Sequence, residues 1–230
     1  MAFTRQHLIF DADDTLWENN IYFEDAFDQF CSYLAHSSMT PVEIRAVLDE
    51  IEIVNAKIHG YGSRNFARNL AECYEHLAER DISERDREAV MDFAHAILDR
   101  PIELLEGVED TIAELSQRHD LTLFTKGDPE EQKLKIDRSG LAGYFEHTAI
   151  VREKNTPAYR QLARERGFRL ELAWMIGNSP KSDINPALAA GLSAVYVPHP
   201  RTWRLEHEAV PDEHPRLLRV ERIEELTRFF

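Results

Sequence analysis

The sequence predicts an α/β fold, an open parallel sheet flanked by helices and interrupted by an all-helical insertion. Three observations predict it. Five short apolar runs are nearly continuous rather than alternating, as strands buried on both faces are. The later runs alternate with amphipathic helical stretches, the pattern of a parallel α/β sheet. Between the first run and the second lies a long segment with helical periodicity and no strand.

The first strand is HLIF (7–10), and the helical insertion follows it over 18–100. Within it, Phe23, Ala26, Phe27, Phe30 and Leu34 recur at helical spacing, as do Ile44, Val47, Leu48, Ile51 and Val54. Two further stripes begin at Phe66 and Val90, so four helices are expected, with GYG (60–62) marking an irregular loop in their middle. A helix over VEDTIAELSQRH precedes the second strand, LTLF (121–124). The helix DPEEQKLKIDRSG leads to HTAIV (147–151), and TPAYRQLARERG leads to AWMI (173–176). KSDINPALAAG then reads as a helix before SAVYV (193–197), and several of these helices end at glycine, as a C-cap does. RLLRV (216–220) reads as a last short strand and ERIEELTRF as a closing helix. The expected organisation is a core of 1–17 and 101–230 with a helical insertion domain over 18–100.

Composition narrows the function classes. The chain has 230 residues, enough to bury a full core, with 43% hydrophobic and 30% charged residues, the balance of a soluble globular protein. Its formal net charge is −15, from 42 acidic against 27 basic residues. Such a chain repels nucleic acid and anionic membranes, so neither is expected as a partner. No run approaches a membrane span and the N-terminus lacks a signal-peptide core, which points to a cytoplasmic protein. Two cysteines, Cys31 and Cys73, lie in helical stretches and read as reduced, packed thiols.

The polar residues collect where the strands end. HLIF is followed by Asp11, Asp13 and Asp14. In extended backbone Asp11 and Asp13 point the same way, roughly 6–7 Å apart, and repel by roughly 2–3 kcal/mol at a protein surface. Asp13 or Asp14 can equally cap a following helix. In open α/β sheets, however, ligands bind beyond the carboxyl ends of the strands. There the later strands supply Thr125, Lys126 and Gly127, then Arg152 and Lys154, then Asn178, Ser179 and Asp183. These types suit phosphate chemistry: a carboxylate nucleophile, a second carboxylate as acid and base, a hydroxyl and amides for phosphate oxygens, a lysine, and oxygen ligands for a cation.

"FDADDTLWENN", "LFTKGD", "EKNTPAY" and "GNSPKSDI", in this order and spacing, resemble the four motifs of the haloacid dehalogenase superfamily, in its Mg²⁺-dependent phosphatase branch. The resemblance implies a Rossmann-like core, with the 18–100 insertion as the cap. It makes Asp11 the nucleophile that becomes an aspartyl phosphate and Asp13 the general acid and base, whose backbone carbonyl also binds the metal. Thr125 binds phosphate, assisted by Thr15, Lys126 and Gly127, and Lys154 bridges Asp11 and the phosphoryl group. Asp11, Asp13, Asn178 and Asp183 make up the Mg²⁺ site. Asn178 stands where the family usually has an aspartate, and Lys126 where it often has an asparagine.

Dehalogenases of this superfamily attack carbon and need neither the second aspartate nor metal, so Asp13 and Thr15 favour phosphoryl transfer. A phosphomutase, a dehalogenase or a catalytically degenerate binding protein are the alternatives. A phosphorylatable receiver domain is much shorter and carries its acceptor on a later strand. The expected substrate is a small organic phosphate monoester, selected by Trp17, Asn20 and Tyr22 after the catalytic loop and by Tyr61 and Arg64 of the cap. A monomer or homodimer is expected.

Overall fold

The computed structural model describes residues 5–230. It divides into two compact units: the described residues through Glu18 with Ile102–Phe230, and Asn19–Pro101.

The first unit is built on six parallel strands: β1 (His7–Phe10), β2 (Asp120–Lys126), β3 (His147–Val151), β4 (Ala173–Gly177), β5 (Ser193–Tyr196) and β6 (Leu217–Arg219). Their order is β3-β2-β1-β4-β5-β6, so β1 lies centrally between β2 and β4. Phe10 pairs with Leu123 on one side and Ile176 on the other, which brings the ends of the three strands level. The apolar runs are continuous because both faces are covered. Leu8 and Phe10 face a layer with Val108, Ile112 and Leu115 of α5 (Val108–Ser116). Ile9 between them faces the opposite layer, with Tyr159 and Leu162 of α7 (Thr156–Arg166) and Ala187 of α8 (Asn185–Ala190). Helix α6 (Pro129–Arg138) joins β2 to β3 and buries Ile136.

Two segments differ from the sequence expectation. KSDINPALAAG is not one helix: a π turn covers Pro180–Ile184 and α8 starts only at Asn185. Pro186 lacks the N–H that would carry an α-helix through this point. The closing segment is a 3₁₀-helix over Ile223–Arg228.

The second unit consists of α1 (Asn20–Leu34), α2 (Pro41–His59), α3 (Ser63–Leu77) and α4 (Glu84–His95), followed by a short 3₁₀ turn. Phe27 and Phe30 of α1, Ile44 and Leu48 of α2, Leu70 and Tyr74 of α3, and Val90 of α4 form one core. Capping boxes start α2, from Thr40 and Glu43, and α4, from Ser83 and Asp86. Val54, on the apolar stripe in the sequence, is 55% exposed. Both cysteines are free, and burial pushes the Cys31 thiol up to about 11 and the Cys73 thiol up to about 12. No described helix is long and apolar enough to cross a membrane.

Candidate active site

Asp11 is the first residue past β1, and its amide still donates to Ile176 O at 2.9 Å. Its side chain is therefore fixed at the mouth of the central strand. The chain then folds back on itself. Leu16 N bonds Ala12 O, Asp14 N bonds Trp17 O, and Asp14 takes a left-handed φ of 58°. This turn returns Thr15 beneath Asp11, where the Thr15 hydroxyl lies 2.9 Å from Asp11 Oδ2 and 3.2 Å from Asn178 Oδ1. The same oxygen accepts from Asn178 N at 3.1 Å. Thr15 thus pins the end of β1 to the loop after β4.

Lys154 enters from the loop after β3 and is buried. Its Nζ donates to Asp11 Oδ1 at 2.5 Å, Asp183 Oδ1 at 2.5 Å and Phe124 O at 3.2 Å. All three ammonium hydrogens are used. Burial alone pulls the Lys154 ammonium down, but the Asp11 and Asp183 charges outweigh it and hold the group above the ordinary lysine range. Burial and the Asp11 charge push the Asp183 carboxyl up to about 7, against the pull of Lys154. The second Asp183 oxygen accepts from Ser179 N at 2.9 Å. A Cβ on Gly177 would lie 2.3 Å from Asp183 Oδ2, so the absent side chain at the end of β4 is what admits this carboxylate.

Asp13 is held by three donors. Lys135 Nζ lies 2.6 Å from Oδ1 and 2.7 Å from Oδ2, Trp17 Nε1 donates to Oδ1 at 2.8 Å, and Gln132 Nε2 donates to Oδ2 at 3.0 Å. Gln132 also donates to Thr125 Oγ1 at 2.6 Å. Gly127 adopts a φ of 149°, and a Cβ there would meet Gln132 Cγ at 2.9 Å, so Gly127 makes room for this contact.

The sequence-selected residues therefore fall into separate sets. Asp11, Thr15, Lys154, Asn178 and Asp183 form one hydrogen-bonded cluster, and Gln132 links Thr125 and Asp13 in another. The Gly127 amide donates to Val151 O, continuing the β2–β3 pairing. Lys126 turns to Ser182 Oγ at 2.9 Å and Glu206 Oε1 at 2.5 Å. Trp17 is fully buried and meets the site as a donor to Asp13. Asn20, Tyr22, Tyr61 and Arg64 belong to the helical unit. There Asn20 opens α1, the Tyr22 hydroxyl donates to Pro101 O at 3.3 Å, Tyr61 precedes α3, and Arg64 is exposed on its first turn.

Sequence reasoning missed Gln132, Lys135, Thr202 and Glu206. The first two had a signal, since they stand three apart on the helix after β2 and so share a face. Thr202 and Glu206 lie in an aperiodic stretch that carries none. Thr202 Oγ1 accepts from Asn178 Nδ2 at 2.8 Å, which fixes the amide with its oxygen towards Thr15. Glu206 accepts from Lys126, from Ser179 Oγ at 2.6 Å and from Ser182 Oγ. It braces the whole loop that carries Asn178 and Asp183.

Burial pushes the Glu206 carboxyl up, yet Lys126 and the two serine hydroxyls leave it below the usual carboxylate range. Glu206→Ala would remove the buried carboxylate that faces the Lys126 ammonium and accepts from Ser179 and Ser182, and is expected to cost about 3–5 kcal/mol in denaturant unfolding. A depressed carboxyl contributes fully above its unfolded value of 4.5 and loses that contribution as pH falls through its folded value. The variant is expected to lose this part of the acid limb of the stability profile.

Asp14, Glu18 and His199 offer a second cluster, with one ligand atom from each lying within 4.8 Å of the others. His199 Nδ1 accepts from Arg201 N at 3.3 Å, as a neutral imidazole does, and Nε2 faces Glu18 at 3.6 Å; burial pulls the His199 imidazole below its ordinary range.

A family model described as haloacid dehalogenase-like hydrolase matches residues 6–191. Among solved structures, the chain is similar to a haloacid dehalogenase-like family hydrolase from Xanthomonas campestris, at 30% identity and a TM-score of 0.83, over 98% of this chain and 94% of that one. It is similar in fold to the L-2-haloacid dehalogenase from Xanthobacter autotrophicus, at 16% identity and a TM-score of 0.67, over 98% of each chain. It is likewise similar in fold to a predicted phosphoglycolate phosphatase from Haemophilus somnus, at 14% identity and a TM-score of 0.68, over 98% of this chain and 97% of that one. Curated proteins give no match.

Proposed function

The chain belongs to the haloacid dehalogenase-like hydrolases, and from that premise we propose that it is an Mg²⁺-dependent phosphatase of small organic phosphate monoesters. The observation that carries this reading is the second carboxylate. Asp13 stands two residues beyond Asp11, partly open to solvent and anchored by three donors. Halide leaves carbon as a stable anion, whereas an alkoxide leaving phosphorus needs a proton, and a placed acid is what supplies it.

An Asp11 carboxylate oxygen attacks phosphorus as the bond to the leaving oxygen breaks, and Asp13 gives that oxygen its proton. Asp13 then takes a proton from water, whose oxygen attacks the aspartyl phosphate. The bond to Asp11 breaks and inorganic phosphate departs. Lys154 and Thr15 hold Asp11 in place throughout, so little reorganisation accompanies attack.

The donor set fits Mg²⁺. Asp11, the backbone carbonyl of Asp13 and Asn178 would hold the ion by hard oxygen atoms, with Asp183 supporting them through Lys154. The fixed Asn178 amide already turns its oxygen, not its nitrogen, towards Asp11's partner Thr15. When bound, the ion neutralises charge on the phosphoryl oxygens.

The test is product release by purified protein from an aryl phosphate and from 2-chloropropionate, each with Mg²⁺ and with chelator. Phosphate release that chelator stops and Mg²⁺ restores is expected, with no halide release. Metal-independent halide release would replace this reading with dehalogenation.

A further inference from the structure

We propose that Lys135 is a positioning residue that holds Asp13 in the orientation that activates water against the aspartyl phosphate. The proposal rests on the phosphatase reading and adds to it a residue outside the four motifs.

The geometry comes from α6. Its N-cap, Asp128, accepts from Glu130 N and Glu131 N at 2.9 and 3.1 Å, and Pro129 begins the first turn. Ile136 is buried against the sheet and fixes the rotation of the helix. Gln132 and Lys135, one turn apart, are thereby carried to the same carboxylate. Lys135 straddles both Asp13 oxygens almost equally, at 2.6 and 2.7 Å, while Trp17 and Gln132 each take one oxygen more. These three donors together fix both Asp13 oxygens, and so the direction in which the carboxyl group faces. The other two lysines of the site are committed elsewhere, Lys154 to Asp11 and Asp183, and Lys126 to Glu206.

The two chemical steps depend on Asp13 differently. Forming the aspartyl phosphate from a nitrophenyl phosphate needs no proton from Asp13, because nitrophenolate is a stable leaving group. Hydrolysing it needs Asp13 to take a proton from water as the new P–O bond forms and the bond to Asp11 breaks. Loss of Lys135 therefore falls on the second step.

The experiment is steady-state and rapid-quench kinetics of full-length Lys135→Met on nitrophenyl phosphate with Mg²⁺. A fall in kcat on the order of 10²-fold is expected. The fall in kcat/KM should be smaller by about tenfold or more, because that ratio stops at formation of the intermediate. Phosphorylated enzyme should accumulate and appear as a burst of nitrophenolate. Lys135→Arg, which keeps donors facing both oxygens, should restore much of kcat. Lys133→Met removes the same charge from the exposed side of the same helix, where Lys133 pairs with Asp137, and should change neither parameter. If Lys135→Met does not fold, Lys135→Gln is expected to show the same split.

Equal falls in kcat and kcat/KM without phosphoenzyme, in a variant that folds, would overturn the proposal and leave the phosphatase reading intact. Wild-type protein inert towards phosphate esters would overturn the phosphatase reading, and the proposal with it.

Discussion

Asp11→Asn is expected to lower turnover by about 10⁴-fold or more while leaving the fold in place. The amide keeps the shape of the carboxylate, and Thr15 still reaches it, but an amide oxygen is a poor nucleophile and cannot carry a phosphoryl group through to release. Asp183 remains as a partner for Lys154, so the buried ammonium is not stranded. Comparing phosphate release with thermal unfolding of the same preparation separates lost chemistry from lost structure. Residual activity within about tenfold of wild type would remove Asp11 from the nucleophile's role.

Lys154→Met is expected to cost both activity and stability. Activity should fall by about 10²- to 10³-fold, the usual consequence of removing one preorganised electrostatic partner. Stability should fall by about 3–5 kcal/mol, because Asp11 and Asp183 are left buried and facing each other without a cation. The pH dependence carries a sign. A buried carboxyl whose folded pKa lies above its unfolded value binds a proton that the unfolded chain does not. Burial and Asp11 already push Asp183 up to about 7, and removing Lys154 withdraws the group that opposes them. The destabilisation should therefore be greatest above pH 7 and shrink as the solution is acidified. Denaturant unfolding across this range checks it, and a loss that grows towards acid would contradict the account.

The sheet was legible because burial on both faces removes alternation, and Leu8, Ile9 and Phe10 show the cause by packing into opposite layers. The four helices of the second unit were legible from their apolar stripes, apart from outlying positions such as Val54. The break at Pro180–Asn185 was not, because apolar periodicity continues across it while Pro186 interrupts the hydrogen bonding. In the site, residues at the ends of adjacent strands were easiest to foresee. Strand pairing brings Asp11 beside the β4 loop that holds Asn178 and Asp183, and Lys154 arrives from the loop after β3.

Side-chain direction was harder to foresee than position. Lys126 stands beside Thr125 in sequence, yet its ammonium turns to Glu206, eighty residues away in an aperiodic loop. Gly127 similarly gives its amide to Val151 and makes room for Gln132. Glu206 carries no periodic or motif signal. Lys135 lay in plain view on an amphipathic helix, where a lysine reads as solvated until the opposing carboxylate is known.

The central claim is that Asp11 attacks phosphorus, and the mass of the Asp11-containing peptide from acid-quenched turnover tests it most directly. With the protein offered a phosphate monoester and 2-chloropropionate together in Mg²⁺, the account predicts a peptide heavier by one phosphoryl group. A peptide carrying a carboxyalkyl ester at Asp11 would contradict it.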